Sequence, residues 1–245
     1  MMNIVIPMAG RGSRFTKAGY TVPKPLIDIY GHPMVEYVVK NVTPREAHRF
    51  IFICQEEQMK AYALKERLEA IAPGCVIIPI NYITEGAACT VLLAKEYIDS
   101  DDPLMIANSD QYVDIDINEY NAAIGDADGL IMTMHQEDTK WSYIQYDSAG
   151  LVTLVREKEV ISDQATVGIY NYRHGRDFVR YAEQMISKDI RVNGEFYTAP
   201  VYNEFIEDGR KIVYHDIGQE HMYGIGTPED LEAFMKTDVC RKVFG

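Results

Sequence analysis

The first apolar run of this chain ends in glycine. Ile4-Val5-Ile6 reads as a buried strand, and it breaks through Pro7-Met8-Ala9 into Gly10-Arg11-Gly12-Ser13-Arg14-Phe15. Glycines without Cβ let backbone N–H groups close on an anion, and fixed cations then neutralise its charge. Two cations follow the loop, Arg14 and a Lys24 held between Pro23 and Pro25. The pattern points to a bound polyphosphate. It is not the dinucleotide fingerprint, because Phe15 stands where the third glycine belongs, and no Gly-Lys-Ser/Thr completes a Walker loop.

Strand and helix patterns alternate through the first half, which predicts a parallel sheet covered by helices. Helices are expected over 34–42, 56–71, 87–98 and 117–124, with strands over 49–54, 76–80, 104–107 and 130–134. After about residue 135 the character changes. Strands 142–146 and 151–156 flank Asp147-Ser148-Ala149-Gly150 as a hairpin, and a further strand covers 166–172. Helices are expected over 175–187 and 196–207. A last one starts at Thr227-Pro228-Glu229-Asp230, which supplies a cap, a first-turn proline and two acids. One α/β domain over 1–245 is expected, with a nucleotide-binding half over 1–135 and a β-rich half over 136–245.

Composition narrows the partners. With a net charge of −13 no basic stripe is available for nucleic acid, and an anionic membrane is equally disfavoured. A nucleotide needs only a few local cations. Cys54, Cys75, Cys89 and Cys240 show no Cys-x-x-Cys spacing and read as free thiols. With no membrane-length apolar run and no leader pattern, a cytoplasmic location is expected. Homo-oligomer formation is left open.

Asp110 stands just beyond the apolar run Leu104–Ala107, where open α/β sheets bind ligands. Beside a phosphate loop it reads as a magnesium ligand, since magnesium takes one or two carboxylates plus phosphate oxygens. Capping of the next turn is the alternative. Thr84-Glu85-Gly86-Ala87-Ala88 opens a helix with small residues that leave room for a flat base, or is simply a helix start capped by Thr84. Lys158, within Glu157-Lys158-Glu159, suits a substrate phosphate at the rim. Asn193-Gly194-Glu195 suits hydroxyl or amine recognition, although Glu195 also fits a first helical turn. Asp114-Ile115-Asp116 reads as a helix-cap feature.

These residues resemble the nucleotidylyltransferases that make nucleoside-diphosphate sugars, the glucose-1-phosphate thymidylyl- and uridylyltransferase relatives. Gly10 to Arg14, Pro23-Lys24-Pro25-Leu26, Asp110, Glu157-Lys158, Val167-Gly168-Ile169-Tyr170, Gly194-Glu195 and Gly226 to Leu231 carry the likeness in order. The resemblance implies a Rossmann-like nucleotide-diphospho-sugar transferase (GT-A-like) fold with a mixed, mostly parallel central sheet. It also implies magnesium-dependent transfer of NMP from an NTP, a pyrimidine one, to a small phosphorylated acceptor such as a sugar 1-phosphate. Arg14 and Lys24 are then catalytic. Ala9, Gly10, Gly12, Ser13, Gly86 and Ala87 bind nucleotide, and Lys158, Gly168, Asn193 and Glu195 hold the acceptor. Asp110 binds metal.

Two departures stand out. The relatives carry a second metal aspartate where this chain has Gly224, and Asp216, the nearest upstream carboxylate, is the expected substitute metal ligand. The loop Thr16 to Val22 also differs from the sugar enzymes, and the short chain is similar to cytidylyltransferases acting on phosphocholine or phosphoglutamine. A GT-A glycosyltransferase using Asp114 and Asp116 for metal, and a silent nucleotide-binding regulator, are the competing readings.

Overall fold

The computed structural model describes residues 1–10 and 12–244, so Arg11 of the glycine loop lies outside the described residues. In chain order, β1 (Met2–Pro7) leads to α1 (Ser13–Lys17), the two-residue strands β2 (Asp28–Ile29) and β3 (His32–Pro33), and α2 (Met34–Val42). Then come β4 (His48–Gln55), α3 (Glu56–Tyr62), α4 (Leu64–Ile71), β5 (Val76–Ile80), α5 (Ala87–Leu92), α6 (Lys95–Ile98) and β6 (Leu104–Ala107). The second half holds β7 (Gln111–Val113), α7 (Ile117–Ala122), β8 (Gly129–His135), β9 (Ser142–Tyr146), β10 (Val152–Glu157) and β11 (Gln164–Tyr172). It continues through α8 (Gly175–Ser187), α9 (Val201–Glu207), β12 (Ile212–Asp216), β13 (Met222–Gly224), α10 (Pro228–Met235) and α11 (Asp238–Lys242).

A nine-stranded sheet in the order β10-β9-β11-β6-β1-β4-β5 organises the molecule, with β8 on β11 and β12 on β8. β1, β4, β5 and β6 run parallel, whereas β11 joins β6 antiparallel and carries the hairpin strands. Side-chain alternation builds two apolar layers. Ile4, Ile6, Phe50, Phe52, Met105 and Ala107 face one layer, closed by Val38 of α2, Leu68 of α4 and Phe234 of α10. Val5, Ile51, Ile53, Leu104 and Ile106 face the other, closed by Val91 of α5, Phe178 of α8 and Phe205 of α9. Strands buried on both faces read as unbroken apolar runs, which is why the sequence exposed them so clearly. Each such fully buried side chain contributes about 1.5–3 kcal/mol.

Three expected helices are interrupted. The helix over 56–71 splits at Ala63, whose left-handed φ of 49° ends α3 by bonding its N–H to the Met59 carbonyl. The helix over 87–98 splits at Leu93–Ala94. The helix expected from Phe196 starts only at Val201, because the Phe196 backbone is spent elsewhere: its N–H donates to Glu85 O at 2.8 Å and its carbonyl accepts from Ala88 N at 3.0 Å. The cap at Thr227 forms as expected, its Oγ1 accepting from Asp230 N at 3.1 Å.

Ala63 is exposed, so Ala63→Gly tests backbone conformation alone. A left-handed L-residue costs roughly 1–2 kcal/mol, and glycine's added unfolded-state freedom gives back roughly 0.5–1 kcal/mol. Urea denaturation should find the variant about 0.5 kcal/mol or more stabler than the native chain.

Candidate active site

The glycine loop forms one wall of a cavity of about 770 Å³ at the carboxyl ends of β1 and β6. Gly10, Gly12 and Arg14 line it, beside Pro7 and Met8. Gly12 has φ of +59°, which favours glycine, and a Cβ there would lie 3.3 Å from Lys24 Cβ and press on the Pro23–Pro25 segment. Lys24 opens a 3₁₀ turn over Lys24–Leu26 anchored by the buried Pro25 and Leu26. Its Nζ donates to Asp110 Oδ2 at 3.1 Å. Arg14 is exposed on the cavity wall. Ala9 and Ser13 do not line the cavity: Ala9 is buried with its carbonyl taken by Gln55 Nε2 at 2.8 Å, and Ser13 is exposed at the start of α1.

Asp110 sits where the sequence put it, immediately past β6. Its carbonyl accepts from Ile225 N at 2.9 Å, which ties the β6 end to the segment after β13. There a Cβ on Gly226 would stand 2.9 Å from Asp110 Oδ2 and 3.3 Å from its Cβ. The glycine is thus the cradle in which the carboxylate lies. Lys24 occupies one oxygen and the cavity faces the group. Among the described residues no three His, Cys, Asp or Glu side chains converge as a protein-only metal cage. One firm carboxylate beside a phosphate loop nevertheless fits magnesium, which keeps waters and takes phosphate oxygens. Asp230 also lines the cavity, its Oδ2 3.4 Å from where a Gly224 Cβ would be.

Asp216 requires correction as a metal ligand. β12 pairs in parallel with β8, and this carries Asp216 to the far end of β8. Its Oδ2 meets His135 Nε2 at 3.1 Å and Gln164 Nε2 at 3.2 Å, while Oδ1 accepts from Gly218 N at 2.9 Å. The carboxylate is consumed there, outside the cavity. Asp116 caps α7 as expected, accepting from Asn118 N at 2.9 Å and pairing with Arg45 at 2.9 Å. Those Asn118 hydrogen bonds, with the Arg45 charge, hold its carboxyl below the usual range.

The opposite end of the cavity is built by β10, β11 and the loop before α9. Gly168 lines it, at the irregular step of the β11–β8 register. Glu157 points in and accepts from Ser142 Oγ across the hairpin, while the next residue, Lys158, leaves the strand with φ of 57° and faces away. Its Nζ donates to the Tyr197 hydroxyl, so the expected phosphate-holding lysine instead buttresses a cavity-lining tyrosine. Asn193 and Glu195 also miss the cavity. Asn193 and Gly194 have φ of 50° and 82°, and Val192 and Glu195 exchange backbone hydrogen bonds around them. Asn-Gly here forms a tight turn. Ala87 lines the cavity but Gly86 does not, because a Gly86 Cβ would lie 2.3 Å from Phe196 O. Its missing side chain admits that loop, not a base, and Gly86 itself stands at the N-cap position that Thr84 was expected to fill.

Residues the sequence did not single out complete this end: Gln111, Trp141, Ser142, Tyr170, Tyr197 and Thr198. Adjacent residues such as Trp141 and Ser142 both line the cavity, so no alternation in the sequence marks them.

Burial pushes the Glu157 carboxyl above the ordinary carboxylate range, against the pull of Ser142 and Lys158. A raised folded value means that the stability gained from the protonated form is full below the unfolded value of 4.5 and is lost as pH rises through the folded one. Glu157→Gln should therefore raise Tm near pH 7, with the gain fading towards about pH 4. A gain independent of pH in thermal scans would refute the assignment.

A mixed sheet with its ligand cavity at the carboxyl ends of the parallel strands defines an α/β protein of the Rossmann-like nucleotide-diphospho-sugar transferase fold. The nucleotidyl transferase family model matches residues 4–238, and the chain belongs to that family. It is similar to the nucleoside-diphosphate-sugar pyrophosphorylase from Vibrio cholerae RC9, with TM-score 0.85 and 28% identity over 96% of this chain and 100% of that one. The inositol-1-phosphate CTP transferase of T. maritima shares the fold, with TM-score 0.78 and 14% identity over 99% and 96% of the two chains. The mannose-1-phosphate guanylyltransferase catalytic subunit beta of Xenopus tropicalis is 24% identical over 200 residues, covering 77% of this chain and 55% of that protein. The chain spans about half the length of the curated relatives it matches. Among the described residues no helix is long and apolar enough to cross a membrane.

Proposed function

We propose that this protein transfers a nucleoside monophosphate from an NTP to a sugar 1-phosphate, releasing pyrophosphate. The observation that carries the reading is the Lys24–Asp110 pair, 3.1 Å apart, set in the cavity beside Gly10, Gly12 and Arg14. An acceptor phosphate oxygen forms a bond to the α-phosphorus as the bond from that phosphorus to the pyrophosphate oxygen breaks. No protein nucleophile is required. Residues 1–135 supply most of the nucleotide side and 136–245 most of the acceptor side, with Gln111 and Gly226 crossing between them. Arg14 and Lys24 hold the triphosphate and offset the charge that spreads over the transferring group. Asp110 is the residue that would hold magnesium, which when bound supplies charge neutralisation at the leaving pyrophosphate. The cavity walls align the two phosphates and keep bulk water from the reacting centre.

A pyrimidine base remains our assignment. The support is the compact Thr84 to Ala88 segment and the resemblance to pyrimidine-using relatives. The similarity to guanylyltransferases argues the other way, so GTP belongs in the test. The glycosyltransferase reading loses its support, because Asp116 is spent as a helix cap paired with Arg45 and neither it nor Asp114 lines the cavity.

Pyrophosphate release, measured for each NTP with magnesium against sugar 1-phosphates, inositol phosphate and phosphocholine, tests the reaction. Silence across the whole panel would leave a binding protein. Within the active pair of substrates, Lys24→Ala, Arg14→Ala and Asp110→Asn should each lose on the order of a hundredfold or more in kcat/KM. Asp216→Asn should stay near the native rate, and an Asp216 dependence as strong as that of Asp110 would reverse the metal assignment.

Nucleotide preference is read separately. A thermal-shift series with all NTPs and magnesium should give its largest stabilisation with CTP, UTP or dTTP. A shift with GTP or ATP alone would overturn the pyrimidine assignment.

A further inference from the structure

Arg191 does not line the cavity, yet it joins the two sides of it. Its Nη2 pairs with Glu85 Oε2 at 2.6 Å and its Nε with Asp189 Oδ1 at 2.5 Å, while Nη1 donates to Gly194 O at 3.2 Å. The guanidinium also lies over the Phe196 ring, 4.0 Å from its centroid. A planar fork makes all four contacts at once, where an ammonium offers only a point charge. Segment 188–200, between α8 and α9, carries Tyr197, Thr198 and Ala199 to the cavity. A connection of that length with no helix or long strand of its own is most often functional. Glu85 belongs to the segment that leads into α5 and sets Ala87 in the cavity. The backbones of the two segments are stitched as well, Phe196 N donating to Glu85 O and Ala88 N to Phe196 O. On its other side the Glu85 segment is tied to the glycine loop. The Gln55 amide, at the end of β4, donates to Ala9 O at 2.8 Å and to Tyr82 O at 3.2 Å. A continuous chain of contacts therefore runs from the glycine loop through Gln55, the Tyr82–Glu85 segment and Arg191 to Tyr197.

We propose that Arg191 is a positioning residue that couples the two substrates: through Glu85 it lets an occupied nucleotide side order segment 188–200, and with it one wall of the acceptor side. This rests on the transferase reading above and deepens it. The Glu85 side chain is 67% exposed, so the ion pair contributes little to global stability. Its effect is local. A segment with few regular backbone hydrogen bonds opens at low cost, and each contact that holds it closed shifts that equilibrium. A nucleotide that immobilises residues 82–87 gives Arg191 a fixed partner. The second substrate then has less conformational entropy to lose when it binds. Coupling between sites is reciprocal and typically changes affinity by roughly 5- to 150-fold.

Amide hydrogen exchange on the full-length protein reads that coupling without turnover. The probes are the α,β-methylene analogues of CTP, UTP, dTTP and GTP with magnesium, whose α,β bridge is not cleaved. The quantity compared is the ratio of exchange rates without and with analogue. In the native chain at least one analogue should slow exchange at 82–88, and at 188–200 as well by about fivefold or more. Arg191→Met keeps an unbranched chain and removes the fork, and Glu85→Gln keeps the shape and removes the charge. In either variant the analogue should still protect 82–88, while the ratio at 188–200 falls towards about one. The double variant should be no worse than either single one, because both cut the same link. Arg191→Lys should not restore the effect. With the active pair of substrates, Arg191→Met should raise the acceptor KM about fivefold and leave kcat close to native. Protection that stops at 82–88 in the native chain, or that reaches 188–200 undiminished in Arg191→Met, overturns the inference even if turnover is normal. No protection by any analogue refutes the inference and the nucleotide reading together. Protection relayed to 188–200 and lost in Arg191→Met, without pyrophosphate release from any NTP, supports the inference while refuting the reaction.

Discussion

The site depends on one ion pair. Lys24 comes from the loop after β1 and Asp110 from the loop after β6, and their contact at 3.1 Å closes the gap between adjacent parallel strands. Each partner is held by something stiffer than itself. Lys24 is braced by two prolines and the buried Leu26, and Asp110 by the Ile225 amide on its carbonyl. The pair is partly exposed, so its own contribution to stability is small. Its value is positional: it keeps a cation and an anion facing a common space.

Vacant side-chain positions do as much as the charged residues. Gly12 makes room for Lys24, Gly226 for Asp110, and Gly86 for the Phe196 backbone that delivers Tyr197 and Thr198 to the cavity. In each case the glycine lies on a different element from the group it accommodates. The functional atoms are aimed by packing between distant segments, which is a tighter constraint than a loop folding on itself.

The sheet was legible because its strands are buried on both sides: Ile4 to Ile6, Phe50 to Cys54 and Leu104 to Ala107 leave no other reading. One wall of the cavity was legible for the same reason, since the glycine loop follows β1 and Asp110 follows β6, with Lys24 packed against both. The acceptor end was not. Lys158, Asn193 and Glu195 looked polar and available, but their neighbours decide where they point: a strand ending at Glu157, and an Asn-Gly turn with both residues at positive φ. Asp216 was read from its proximity in sequence to Gly224, whereas β12 pairs with β8 and carries it away. The three-residue strands β7 and β13 are too short to leave a periodic trace, and Gln111 is hidden within one of them.

The β7–β13 ribbon, which sets Gly224 opposite Gln111, also governs when the protein can act. The parallel core can collapse from the first part of the chain, with Lys24 and Asp110 already near one another. Asp110 nonetheless lacks its cradle until Gly226 arrives from far along the chain, and contacts of such separation are the slow ones to form. Any ligand that gains affinity from this ribbon therefore reports on the packing of Gly226 against Asp110.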